Sequence, residues 1–155
     1  MTWMTRSRSD RLNALCIRPL GSADAAALPA LYNELTNGPK TARIEDVRAV
    51  MDQPGTTIFG AELDGRILGM ITLHLLANVT MGGRPYGLVE NVITTASHRG
   101  NGVGRAVMQA VIDHARTRRA YKIMLLTGQN RDAHGFYEAL GFDAGGKIGM
   151  VLRFD

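Results

Sequence analysis

Three glycines at alternate positions, in Ser97-His98-Arg99-Gly100-Asn101-Gly102-Val103-Gly104-Arg105, constrain this chain more than anything else in it. They follow residues 87–96 (GLVENVITTA), β-branched and apolar enough for a buried strand. They lead into Val103, Val107, Ala110, Val111 and His114, which recur at helical spacing. A strand, a glycine loop and a helix in succession turn backbone N–H groups toward one point, where the positive end of the helix dipole adds to them. The loop is expected to bind an anion, as a phosphate cradle does.

Two well-known phosphate loops do not fit. A P-loop needs Gly-Lys-Ser/Thr, whereas Gly104 is followed by Arg105-Ala106; a dinucleotide fingerprint needs its third glycine one residue later. Glycines beside a helix start also make plain tight turns, and the rest of the chain decides between the two readings.

Downstream, Tyr121-Lys122-Ile123-Met124-Leu125-Leu126 reads as a buried strand and Thr127-Gly128-Gln129-Asn130 as a turn. A short helix follows, with Asn130 or Asp132 as its cap, an apolar stripe of Ala133, Phe136, Tyr137 and Leu140, and Gly141 at the position of a left-handed C-terminal glycine. At this point the chain resembles the GNAT superfamily of N-acetyltransferases. That superfamily's coenzyme loop has the form Arg/Gln-x-x-Gly-x-Gly/Ala, and its next motif is an Asn followed seven residues later by Tyr. Arg99 to Gly104 match the first and the Asn130–Tyr137 interval matches the second.

The resemblance runs from Ile17-Arg18-Pro19, similar to the superfamily's first strand, to Gly149–Phe154 as the last. It implies acetyl-CoA as co-substrate and no metal. By resemblance, the backbone of Val92, Ile93 and Thr94 pairs with the pantetheine arm. Gly100, Asn101, Gly102, Val103, Gly104 and Arg105 hold the pyrophosphate, Asn130 bonds the arm near its phosphate end, Phe136 packs beside it, and Tyr137 stands near the thioester sulfur. Direct transfer to an amine through a tetrahedral intermediate needs a neutral amine, a stabilised oxyanion and a proton for the leaving thiolate. Glu90 is the candidate base if burial raises its pKa. The N–H of Val92 or Ile93 is the candidate donor to the carbonyl, and Tyr137 the candidate acid.

Between these motifs, residues 22–36 carry a helical apolar stripe despite Pro29, with Ser22 as cap, and residues 44–53 a second short helix. Thr56–Leu63 and Arg66–Leu76 alternate as strands about Asp64-Gly65, a two-residue hairpin signal. The element order predicts an α/β (α+β) fold of the GNAT type: a mixed, mostly antiparallel central sheet of six to seven strands, flanked by about four helices.

At 155 residues the chain fits one domain, placed at 14–155, behind a basic tail at 1–13 read as mobile and without an element of its own. No apolar run approaches the ~18 residues of a spanning helix, which argues against a membrane protein. A net charge of +4 raises the question of nucleic acid, but much of the excess sits in this tail and in Arg116, Arg118 and Arg119 at a helix end, so no nucleic-acid partner is expected. The lone Cys16 reads as a small buried apolar residue in a cytoplasmic protein. His74, His98, His114 and His134 lack metal-ligand spacing.

The acceptor is a small-molecule amine by two further echoes. Glucosamine-6-phosphate N-acetyltransferases are similar at Glu90-Asn91-Val92, where that family has an acid in place of Asn91, at Tyr121-Lys122-Ile123 and at Arg153-Phe154. Aminoalkylphosphonate N-acetyltransferases are similar at Asp132–Tyr137 and Gly69–Leu75. Both imply an anionic amine, with Arg84, Arg153, His74 and Asn91 as candidate acceptor-side residues, and subfamily resemblance implies a homodimer formed through the C-terminal strand. Protein N-terminal or lysine acetylation and a non-catalytic acyl-CoA-binding sensor are the competing readings.

Overall fold

A computed structural model describes residues 7–129 and 133–154. The chain opens with α1 (Arg8–Asn13), capped by the Ser7 hydroxyl, which accepts from the N–H of Asp10. Then come β1 (Cys16–Pro19), a 3-10 turn at Ser22–Ala27, α2 (Leu28–Leu35) and α3 (Ile44–Asp52). The hairpin of β2 (Thr56–Leu63) and β3 (Arg66–Leu76) leads through a single turn, α4 (Thr80–Gly83), into β4 (Tyr86–Thr94). After it stand α5 (Val103–Thr117), β5 (Ile123–Met124) and α6 (His134–Glu138).

The sheet runs in chain order β1-β2-β3-β4-β5; the first three pairings are antiparallel and β4–β5 is parallel. Its central strands β2 and β3 are largely buried on both faces, and successive side chains feed two cores. Phe59, Ile71, Leu73 and Val89 pack under Val103, Val107, Met108, Val111 and Ala115 of α5. Their neighbours Ile58, Met70 and Ile93 pack under Leu28 and Leu31 of α2 and Val47 of α3. The hairpin turn is the one its sequence predicts: Asp64 and Gly65 both have positive φ, 50° and 78°, which matches the right-handed twist of the flanking strands.

Several expectations are corrected. Residues 22–36 are not one helix, because Pro29 sits in the first turn of α2 and cannot extend a preceding helix, so Ser22–Ala27 remains a separate 3-10 turn. The first dozen residues include an element after all, since α1 is locally capped and leads into Ala14 and Leu15, which pack on the α5-side core. Cys16 is exposed, not buried.

The described sheet has five strands, not six to seven. Only Ile123 and Met124 of the 121–126 run form strand pairs. The segment ending in Phe154 pairs with no strand among the described residues and leaves Ile148, Met150, Leu152 and Phe154 at 80–92% exposure. Alternation makes a segment competent for a sheet, but only pairing with a neighbouring strand makes it part of one. Among the described residues no helix is long and apolar enough to cross a membrane.

Candidate active site

The site is made by an interruption in β4. Thr72 pairs with Glu90 and Met70 with Ile93, so the single residue Ile71 stands opposite both Asn91 and Val92. Asn91 takes the left-handed conformation, φ 52°, that absorbs the extra residue of this bulge; Asn tolerates it better than most side chains. A bulge bends its strand and sharpens the twist. Parallel pairing with β5 is confined to Gly87–Ile123 and Leu88–Met124, ahead of the bulge. Beyond it the two strands part.

A cleft of about 720 Å³ fills the gap. Val89, Glu90, Asn91, Val92 and Thr94 form one wall and Leu125 to Gly128 the other. The glycine loop closes one end, and Phe136 and Tyr137 of α6 line it as well.

The loop has the character its sequence predicts. Gly100 and Gly102 have φ of 73° and 88°, and among the described residues no side chain caps the N-terminus of the 15-residue α5. Its first-turn N–H groups are therefore left to a ligand or to water. A Cβ on Gly104 would come within 3.3 Å of Thr94 Oγ1 and 3.6 Å of Phe136, so this glycine lets helix and strand close up at the mouth of the cradle. Gly100, Gly102, Val103, Gly104 and Arg105 all border the cleft. Asn101 shapes the loop from behind, its amide donating to the carbonyls of His98 (3.3 Å) and Arg99 (3.1 Å). Arg99 also turns back: its Nε donates to the Thr94 carbonyl at 2.9 Å, and Nη2 lies 3.6 Å from Glu34.

Tyr137 is half-buried and held edge-to-face by Phe136 and Phe142, at centroid distances of 5.0 and 5.8 Å. Glu90 lines the same cleft but is exposed, so the burial expected of a candidate base is not present. Ile93 sends its side chain into the α2-side core, and Val92 and Thr94 border the cleft beside it. Asn130 lies outside the described residues.

The acceptor-side candidates divide. Asn91 is in the cleft. Arg84 is not: its Nε and Nη2 donate to the carbonyls of Arg119 (3.1 Å) and Ala120 (3.3 Å), closing the chain beyond the C-terminal end of α5. His74 is a cross-strand partner of Thr56, whose hydroxyl lies 2.7 Å from Nδ1, and Arg153 belongs to the exposed C-terminal segment.

Leu35, His98, Leu125 and Leu126 line the cleft without having been foreseen. Leu125 and Leu126 carried the apolar signal of a strand and are instead its unpaired continuation. Leu35 reaches the site from α2, which no local motif announces. His98 is held below the ordinary imidazole range by burial first and then by the charge of Arg66. Among the described residues no three His, Cys, Asp or Glu gather as a metal site.

This arrangement has relatives. A solved structure of an acetyltransferase candidate from Agrobacterium tumefaciens str. C58 superposes with a TM-score of 0.83 at 37% identity, over 90% of this chain and 99% of that one. The Glucosamine 6-phosphate N-acetyltransferase of Trypanosoma brucei brucei is 30% identical over 83% of this chain and 88% of its own length. Glucosamine 6-phosphate N-acetyltransferase 1 of Oryza sativa subsp. japonica is 28% identical over 81% and 79%. Residues 25–142, which hold the α2 wall, the β4 bulge, the glycine cradle and α6, match the sequence model of the Acetyltransferase (GNAT) family. The chain belongs to that family and is an N-acetyltransferase.

Proposed function

We propose that this enzyme acetylates the primary amine of a small anionic molecule at the expense of acetyl-CoA, with glucosamine 6-phosphate the first acceptor to test. The observation that carries the reading is one cleft shared by the N-terminus of α5, the stretch of β4 that β5 no longer pairs, and Tyr137. The names of the trypanosomal and rice relatives support the choice of acceptor.

The residues present fit the coenzyme, because Gly100, Gly102 and Gly104 border the cleft at the N-terminus of α5, where backbone N–H groups can meet an anion. The loop from Gly100 to Arg105 would hold the pyrophosphate, while Val92 and Thr94 offer backbone groups to the amide-bearing arm. When bound, acetyl-CoA supplies the acetyl group as a thioester. Glu90 and Asn91 orient the acceptor beside the bulge, and Glu90 takes a proton from its ammonium directly or through water. The N–H of Val92 would polarise the thioester carbonyl. Tyr137 holds the proton that the departing sulfur needs.

We further propose a homodimer: the alternating apolar residues Ile148, Met150, Leu152 and Phe154 are left 80–92% exposed among the described residues, and a second copy covers them. The mass in solution tests this directly, and a monomer at assay concentration rejects it. Residence in the cytoplasm suits the single, exposed Cys16.

The deciding experiment is release of free CoA thiol from acetyl-CoA across amino-sugar phosphates, aminoalkylphosphonates, polyamines, amino acids and short peptides. Turnover with glucosamine 6-phosphate or another anionic amine supports the proposal. Turnover confined to peptides replaces it with protein acetylation, and binding of acetyl-CoA with no turnover replaces it with a sensor.

A further inference from the structure

Glu34, one residue from the end of α2, reaches across to the chain that feeds the cradle. Its Oε1 accepts the backbone N–H of Ala96 and lies 3.6 Å from Nη2 of Arg99. Arg99 Nε in turn donates to the carbonyl of Thr94 at 2.9 Å. Thr94, Arg99, Glu34 and Ala96 thus close a ring that ties the last turn of α2 to the end of β4 and to the 3-10 turn Ala96–His98. Three of its members, Thr94, Ala96 and Arg99, lie on the stretch of chain that leads to Gly100.

The two halves of the ring differ in strength. With side chains 57% and 32% exposed, the Arg99–Glu34 ion pair is screened and contributes little alone. The carboxylate bond to a backbone N–H is the stronger member, being charge-assisted and fixed at its donor end. Leu35, Val92, Thr94 and Arg99 border both the main cleft and an adjoining cavity of about 330 Å³, so the ring stands in the wall between them.

We propose that Glu34 is a positioning residue for the coenzyme: by holding Ala96 and Arg99 it sets the direction in which the loop leaves β4, and with it the affinity of the cradle for the pyrophosphate of CoA. Glu34 acts through the loop and not on the ligand. Arg99 is correspondingly a strut, using its fork to reach the Thr94 carbonyl and Glu34 at once, which a lysine ammonium does poorly. The inference rests on the reading that the cleft takes acetyl-CoA.

The test is calorimetric titration of CoA alone into the wild type, Glu34→Ala, Glu34→Gln, Arg99→Lys and the Glu34→Ala/Arg99→Lys pair, with the thermal midpoint of each ligand-free protein alongside. Glu34→Ala is expected to raise the Kd for CoA about tenfold, the scale of one charge-assisted hydrogen bond. Glu34→Gln keeps an acceptor for the Ala96 N–H and recovers most of that loss. The double variant is expected to be no weaker than Glu34→Ala, because both changes open one ring. An unchanged Kd in Glu34→Ala overturns the proposal, as does a loss that tracks a lowered midpoint and is not rescued by Gln. If the wild type itself fails to bind CoA, the coenzyme reading falls and this proposal with it; if the wild type binds and Glu34→Ala matches it, only the positioning role falls.

Discussion

Leu12 of α1 packs so closely on Gly102 of the cradle that a Cβ there would lie 3.1 Å from its Cδ2. The N-terminal helix therefore backs the loop from outside, while the cleft lies on its inner side. Gly102 is doubly committed, since its φ of 88° is also one that side chains resist, at about 1–2 kcal/mol. Gly102→Val is expected to abolish CoA binding, and Gly102→Ala to weaken it. Adding Leu12→Ala to Gly102→Ala relieves the contact but not the backbone strain, so calorimetry of the pair should find affinity restored only in part.

Tyr137 is placed by Phe136 and Phe142, both of which remain when its hydroxyl is removed. Tyr137→Phe is expected to lower the rate of transfer by about 10²-fold, the low end for loss of a general acid, with CoA affinity unchanged. Steady-state kinetics with saturating acetyl-CoA reads this out, and an unaltered rate removes Tyr137 from the mechanism.

Arg84 is expected to act on stability and not on the acceptor. With its guanidinium on the Arg119 and Ala120 carbonyls, Arg84→Ala should cost about 1 kcal/mol in chemical denaturation, the scale for two exposed hydrogen bonds lost together. The KM of an anionic acceptor should be unchanged, and a rise of tenfold would return Arg84 to the site.

Arg18 grips Asp24 with two hydrogen bonds, of 2.9 and 2.7 Å, and reaches Glu62 with Nε at 2.8 Å. The Arg18 guanidinium holds the Asp24 carboxyl below its ordinary value. A carboxyl depressed in the folded state stabilises the protein above its unfolded value of about 3.9, and that stabilisation is lost as pH falls through the lower folded value. Thermal midpoints of wild type and Asp24→Asn should therefore differ at neutral pH and converge in acid. A gap that persists unchanged at pH about 2–3 would show that the carboxylate charge is not its source.

Local chemistry made much of this protein legible without coordinates. Asp64-Gly65 specifies its turn because both residues tolerate positive φ, and the β4–loop–α5 unit announces itself because strand, glycines and helix are contiguous. Apolar alternation in β2 and β3 and the helical stripe of α5 likewise depend on neighbours in sequence. Tyr137, Phe136 and the cradle glycines were recognisable because their spacing along the chain is itself the motif.

What the linear pattern left open are relationships between distant segments. Nothing near Asn91 marks it as a left-handed residue, because a bulge is a mismatch of register between two strands and exists only when β3 is alongside. Arg84 read as an acceptor-side residue, but its Nε meets the Arg119 carbonyl 35 positions away, and Glu34 meets Ala96 across 62. His74 reads as a site residue only while its partner Thr56 is unknown. The sequence by itself determined the β2–β3 hairpin, the β4–loop–α5 unit and the family to which the chain belongs, since these arise from short-range sterics and hydrogen bonding. Tertiary structure alone decided which charges face the cleft and which are consumed elsewhere, because that choice is made by packing and pairing among residues that the chain keeps far apart.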